Sequence, residues 1–421
     1  MHRPTRHAVV ALIAGTCLVA LTPSAQAWDA HGHRVITYLA LDALPFTDKP
    51  APPVAPPPAP PVAPGGAATP AAPPNLRTSP LPLWMTAPSF RDACAYQSAE
   101  PDRIRAQPTP SLVHLNGPDH YFDLDMLARW GMKVEDMPTL RHRFIKELSL
   151  ARLTFPQNFT DYDEKKDAAN EHEWPGLGPQ AMMETYGHLQ ASFRTLKIIE
   201  FLGGEGRDLQ IAQAQQNIIY HIGRLSHFVG DHAQPLHTTI HHHGWVRDVV
   251  KFPDPAPAAN VWNPKDYTTD YGFHSYIDGT ILIHHKITYE SLTQQTDGTP
   301  VTPHAVKDTD PWKDILEHIN RSYKEVEPLY QMHKDDTLRS APGKQLIESR
   351  LRDGAKMLAA LITAAWTSSD PIKRDTNYYI NGTPPEGKPS LPEMGNRQIP
   401  ARTATEHEKM KSESGEAEPR P

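Results

Sequence analysis

Residues 208 to 237 read DLQIAQAQQNIIYHIGRLSHFVGDHAQPLH, and the spacing of their apolar side chains decides the fold class. Ile211, Ala214, Ile218, Ile222, Leu225 and Val229 recur at intervals of three and four, the period of an α-helix with one buried face. The same period runs through 142–155, 181–202, 312–333 and 344–366, and no comparable run alternates with the period of two that a half-buried strand requires. A mostly α fold follows, a single multi-helix domain with long irregular connections near 157–179 and 241–270 and no repeat at a solenoid period. The end of the quoted stretch also carries chemistry. Four residues turn a helix by about 400°, so His227 and Asp231 project from one face, within reach of one ion or two neighbouring ions. Pro235 discourages further helix, and the chain can bend to present His237 from another direction.

A lone histidine–aspartate pair at this spacing is ordinarily a surface ion pair or a capping contact. Here a second pair, His274 and Asp278, repeats the interval on another candidate helix, and together with His237 the two pairs favour a metal site. The run His241-His242-His243 also invites a metal reading, but it falls in the irregular stretch, and solvated histidines beside a cleft are the expectation there.

The chain has 421 residues, not all of which look foldable. Arg3 and Arg6 precede a fourteen-residue apolar run, Ala8 to Leu21, and an Ala25-Gln26-Ala27 cleavage signature, so 1–27 reads as a signal peptide leading to the periplasm or the medium. The run is too short to span a bilayer, and no transmembrane anchor is expected. A lipoprotein reading at Cys17 is poorer, because Thr16 stands where a small residue is needed. Residues 50–80 hold thirteen of the 44 prolines in an Ala-Pro-Val setting, a solvated insertion of extended polyproline character. The tail 371–421 is polar and Pro-rich, and disorder is expected there. The domain is then 28–370, interrupted by the insertion.

Loss of the signal removes Cys17 and leaves Cys94 as the one cysteine, so no intramolecular disulfide can form, and Cys94 is expected as a small core residue. It also removes Arg3 and Arg6, taking the formal net charge from −7 to −9, which excludes a broadly basic nucleic-acid-binding surface. Attraction for a phosphate must be local, from bound metal and a few arginines. Cleavage after Ala27 would expose Trp28, whose free amine beside its own carbonyl forms a five-membered chelate. Nitrogen and carboxylate donors together suit zinc better than calcium or magnesium.

Five motifs stand in order along the chain: Trp28-x-x-x-Gly32-His33, Pro-Asp-Arg-Ile-Arg at 101–105, Asp-His-Tyr-Phe-Asp at 119–123, His-Phe-Val-Gly-Asp-x-x-Gln-Pro-Leu-His at 227–237 and His-Ser-x-x-Asp at 274–278. As a set they resemble the S1/P1 nuclease family, within the superfamily that also holds zinc-dependent phospholipase C. The resemblance spans Trp28 to Asp278, with wider spacings than usual. It implies three zinc ions: one on Asp102, His120, His227 and Asp231; one on the Trp28 amine and carbonyl, His33 and a bridging Asp231; one on His237, His274 and Asp278. It also implies hydrolysis of single-stranded DNA or RNA, and of 3'-nucleotides, to 5'-phosphorylated products by attack of a zinc-bound hydroxide.

Under the same resemblance Asp102, Asp231 and Arg105 carry catalytic roles, Arg105 touching the scissile phosphate. Tyr121 would stack a base and Asp123 would meet its edge, with Tyr121 as ordinary core packing the competing reading. His31 is not expected to take part, and Asp29 could add a hydrogen bond beside the metal. A phospholipase C remains an alternative, since those relatives share the 119–123 motif. Asp278 as the last ligand, Gln234-Pro-Leu-His237, the arginine after Pro-Asp and the lack of an evident lipid-binding β-domain lean toward the nuclease. A second alternative is a periplasmic zinc-binding protein without turnover. No stable protein partner is implied, and a monomer is expected.

Overall fold

A computed structural model describes residues 28–46, 81–159, 165, 174–202, 207–253, 255–293, 304 and 311–371. The expected signal peptide, the Pro-rich insertion and the tail beyond 371 lie outside the described residues. The chain is mostly helical, and among the described residues it forms no strand, only an isolated antiparallel bridge between Phe122 and Gly176.

In chain order the helices are α1 (Asp29–Asp42), α2 (Pro88–Gln97), α3 (Glu100–Arg105), α4 (Pro110–Asn116), α5 (Arg141–Thr154), α6 (Gly178–Leu202) and α7 (Arg207–Asp231). Then come α8 (Ala259–Trp262), α9 (Phe273–Ser275), α10 (Ile281–His284), α11 (Tyr289–Thr293), α12 (Trp312–Tyr323), α13 (Val326–Lys334) and α14 (Ala341–Thr367). Helices α6 and α7 pack along each other, α14 lies across both and against α1, and α2 closes on α7 and α1.

Helix α7 shows why the sequence folds this way. Ahead of Leu225 it buries Ala214, Ile218, Ile219, Ile222 and Gly223, but from Leu225 to Asp231 every residue is buried, so the helix dives into the core. Burial of Ile218, Ile222, Leu225 and Val229 is worth about 1.5–3 kcal/mol each. The polar residues carried inward with them, His227 and Asp231, must therefore find partners.

Two elements differ from the periodic reading. The run 312–333 is split into α12 and α13, because Pro328 has no N–H for Lys324 and its ring crowds that carbonyl. His274 and Asp278 sit not on a regular helix but where α9 passes through a π-turn, Tyr276–Thr280, into α10. Among the described residues no helix is long and apolar enough to cross a membrane.

Candidate metal centre

The carboxyl end of α7, the start of α1, α3, the turn after α4 and the π-turn converge on one buried cluster. Asp231, the last residue of α7, stands at its middle. Its Oδ1 lies 3.3 Å from His33 Nε2, while its Oδ2 lies 3.1 Å from His120 Nδ1 and 3.3 Å from His227 Nε2. The two oxygens thus face different sets of imidazoles, and neither accepts a hydrogen bond although both are buried. Asp102 joins the second set, with its Oδ1 3.7 Å from His120 Nδ1 and 3.8 Å from His227 Nε2. A further group forms beside them: His274 Nε2 lies 2.8 Å from His237 Nε2 and 3.2 Å from Asp278 Oδ2.

Three buried groups could therefore hold a metal: His33, His227 and Asp231; Asp102, His120 and His227; and His237, His274 and Asp278. Ligands of one tetrahedral zinc at about 2.0–2.1 Å stand about 3.3 Å apart, close to the separations found here. The tautomers are arranged for this. His227 Nδ1 lies 2.7 Å from the Ser98 carbonyl and His237 Nδ1 lies 2.6 Å from the His120 carbonyl, so each Nδ1 carries the proton and turns an Nε2 lone pair into the cluster. Asp278 is oriented by Gln234, whose Nε2 donates to Oδ1 at 2.7 Å while its own Oε1 accepts the Leu236 amide.

Trp28 is fully buried in the left-handed region, with φ 48°, and its nitrogen points to Asp278 Oδ1 at 3.4 Å. Its carbonyl accepts the Gly32 amide at 2.9 Å and opens α1. Glycine at 32 and 230 is a matter of room: a Cβ on Gly32 would stand 2.6 Å from Trp28 Cβ, and one on Gly230 2.8 Å from His33 Nδ1. Asp29 does not reach the metal ligands but accepts the His31 and Gly32 amides, capping α1. His31 turns to the Ile287 carbonyl.

Electrostatics follow from burial. Desolvation pushes Asp231, Asp278 and Asp102 above the ordinary carboxylate range, with the Asp102 charge adding to the shift at Asp231 and the Arg105 guanidinium opposing it at both Asp102 and Asp231. The same desolvation lowers His120, His227, His237 and His274 well below the usual imidazole value. Burial thus disfavours charge on the aspartates and on the imidazoles alike. A divalent cation bound here would invert the carboxylate preference and displace protons, coupling its binding to pH. The negative pole of α7 at Asp231 adds to the attraction for a cation.

Arg105 donates to Asp102 Oδ1 at 3.1 Å and holds its charge toward the histidines. Tyr121 is half-buried with extended backbone, and Asp123 is buried, 4.0 Å from His242 and raised well above the carboxylate range by burial and by Asp125. Cys94 is fully buried. The run His241–His243 differs from the solvated loop expected: all three rings are half-buried, His241 stacks on Trp245, and His242 and His243 lie 6.2 Å and 5.2 Å from His274.

Comparison with known proteins finds neither a family model that matches the chain nor a curated protein that matches it. The donor groups and their motifs are then the whole basis for a function. Among residues the motifs did not single out, Ser98 matters through its backbone carbonyl, which no side-chain pattern reveals. His318 matters as well: its Nε2 meets the Val229 carbonyl at 3.0 Å and its Nδ1 meets Asp353 at 3.2 Å, bracing the end of α7.

Proposed function

We propose that this chain is a trinuclear zinc phosphodiesterase of the S1/P1 nuclease kind, an endonuclease cutting single-stranded DNA or RNA, and 3'-nucleotides, to 5'-phosphorylated products. The observation that carries this reading is Asp231, a buried carboxylate whose two oxygens face separate imidazole sets and accept no hydrogen bond. A lone buried carboxylate in that position costs several kcal/mol unless cations compensate it. The mixed nitrogen and oxygen donors favour zinc.

Zinc bound here would supply Lewis acidity toward a phosphodiester and bring the pKa of water near neutrality. The chain does the rest. Asp102, His120, His227 and Asp231 would hold one ion, His33 with Asp231 and the Trp28 amine a second, and His237, His274 and Asp278 the third. Arg105, anchored on Asp102, would present its guanidinium to the phosphate oxygens and strengthen those contacts as charge develops. Tyr121, half-buried beside His120, would stack against a base of the bound strand, with Asp123 at the base edge. A phospholipase C is the poorer reading, because the described chain after Asp278 is helical and builds no separate lipid-binding β-domain. Export ahead of Trp28 belongs to the same proposal, since only a processed end has the chelating amine.

The test is to count zinc per chain by mass spectrometry, then assay the loaded protein side by side on single-stranded DNA, RNA, 3'-nucleotides and phosphatidylcholine. Three zinc ions with hydrolysis of nucleic acid is the expected result. Zinc without hydrolysis of any of the four would replace the enzyme with a zinc-binding protein, and faster turnover of the lipid would move the chain to the phospholipases.

A further inference from the structure

We propose that the cavity on the side of the 241–243 segment away from the metal ligands binds a neutral pyranose sugar, held between aromatic faces and a lining of mixed donors and acceptors. The proposal is independent of the phosphodiesterase reading, because none of the groups it uses is a metal ligand. The cavity encloses about 360 Å³, toward the small end of the ~300–1,000 Å³ of ligand sites. Its aromatic walls are Trp245, Phe252, Trp262 and Tyr323, all four half-buried, so each keeps ring surface for a ligand. His241 lines this cavity, whereas the His242 and His243 rings lie 6.2 Å and 5.2 Å from His274 on the metal side.

The walls are held in place before anything binds. The His241 and Trp245 rings stack 3.8 Å apart and 6° from parallel, Tyr330 meets Trp245 edge-on at 5.2 Å, and Tyr267 lies against it at 4.8 Å. Tyr330 also donates its hydroxyl to the His241 carbonyl. Asp248 accepts the Val250 amide at 3.0 Å and the Lys251 amide at 3.2 Å through Oδ1, and its carbonyl accepts the Phe252 amide at 2.8 Å. One turn thus carries Asp248, Lys251 and Phe252 to the same lining. Across the cavity Glu327 is fixed by Lys265, whose Nζ lies 2.5 Å from Oε1.

The polar groups decide the ligand. Asp248 and Glu327 accept, while Lys251 and Lys324 donate. Burial, with the charges of Asp125, Asp248 and Glu327, pushes the Tyr323 phenol up to about 12, so it stays a donor. Burial lowers His241 to about 4, and the Val246 amide donates to its Nδ1 at 3.1 Å, which leaves the proton of the neutral ring on Nε2. A cation gains from the carboxylates but is repelled by the two lysines, and an anion meets the reverse. A neutral heteroaromatic ring stacks well but offers each lining group only a fixed donor or a fixed acceptor. Sugar hydroxyls rotate to donate to a carboxylate or accept from an ammonium, so one uncharged ring satisfies both kinds of partner. Its C–H face, slightly positive, lies on the negative faces of the tryptophans.

The protein is titrated with glucose, galactose, mannose and N-acetylglucosamine, followed by saturation-transfer NMR on the sugar and by tryptophan fluorescence. At least one sugar is expected to bind with a dissociation constant of about 1 mM, the range for a ligand of so few atoms. Trp262→Ala should weaken it about ten-fold or more, with zinc content and melting temperature unchanged. Lys251→Glu alters an exposed side chain and makes the lining acidic. It should weaken the sugar and let spermidine displace it, an effect that a purely structural role does not produce; should Trp262→Ala fail to fold, this variant carries the test by itself. No saturable binding of any of the four sugars, binding that survives Trp262→Ala in folded protein, or an unchanged order of sugar and spermidine in Lys251→Glu would each overturn the proposal. So would displacement of the sugar from the wild type by adenosine or spermidine at concentrations below the sugar's own dissociation constant, which would give the cavity to another class of ligand.

Discussion

Replacing Asp231 with asparagine removes one negative charge from the middle of the cluster while keeping the shape of the side chain. Burial pushes the Asp231 carboxyl well above its ordinary range and so favours its neutral form, which the asparagine amide resembles. The metal-free fold should then change by no more than about 1 kcal/mol, the net value of one hydrogen bond. The loaded protein is different. Structural zinc sites bind with about 10–16 kcal/mol over four ligands, so one ligand accounts for about 3 kcal/mol, or about 100-fold in affinity. Asp231 Oδ1 and Oδ2 serve two sets of histidines, so both of those ions weaken together, while His237, His274 and Asp278 keep theirs. After dialysis against dilute chelator, mass spectrometry should find three zinc ions in the wild type and about one in Asp231→Asn. With saturating zinc the wild type should melt higher than the variant by about 10 °C, from ~2.7 kcal/mol of binding linkage for each of the two weakened ions. With chelator in excess the two should melt together. Three retained ions and an unshifted melt would show that Asp231 bridges nothing.

Three further outcomes are expected. Arg105→Ala should lower kcat about 10²–10³-fold, as for other donors to developing charge, with zinc content unchanged; release of zinc would make Arg105 a brace for Asp102 instead. One extra residue ahead of Trp28 should cost one zinc and most activity, because the buried Trp28 nitrogen would no longer be an amine; a fully active extended form, checked by intact mass and turnover, would refute the terminal ligand. Asp353→Asn should destabilise the fold by about 3–5 kcal/mol at pH 7, leaving Arg321, Arg350, His304 and His318 around an uncharged group. These partners depress the Asp353 pKa below its unfolded value, so its contribution is complete above about pH 4 and falls by about 1.4 kcal/mol per unit as the pH drops further. Denaturant melts from pH 7 to 3 should therefore show the wild type converging on the variant; a constant gap would remove the charge from the account.

The sequence discloses what lies within one helical turn of itself. His227 and Asp231 are four apart on a strongly periodic helix, and the structure places them 3.3 Å from each other. The α12–α13 break was legible in Pro328 yet hidden by a periodicity that runs straight through it. The π-turn at 276–280 was not legible, since a widened turn leaves the apolar spacing nearly intact. The histidine run at 241–243 misleads for a different reason: its partners, Trp245 and His274, are assembled by tertiary packing, and polarity alone reads as solvent exposure. Asp29 likewise lies close to ligands in sequence but spends its oxygen on the first turn of α1.

The meeting of Trp28 with Asp278 joins positions 250 residues apart. Closure over such a distance comes late, after the local helices have formed. Before closure only the local His227–Asp231 and His274–Asp278 pairs are formed, so a chain not yet closed offers fewer donors in one place. Under the proposed function, a metal centre assembled this way would form only once the body has closed, which would make metal content a readout of complete folding.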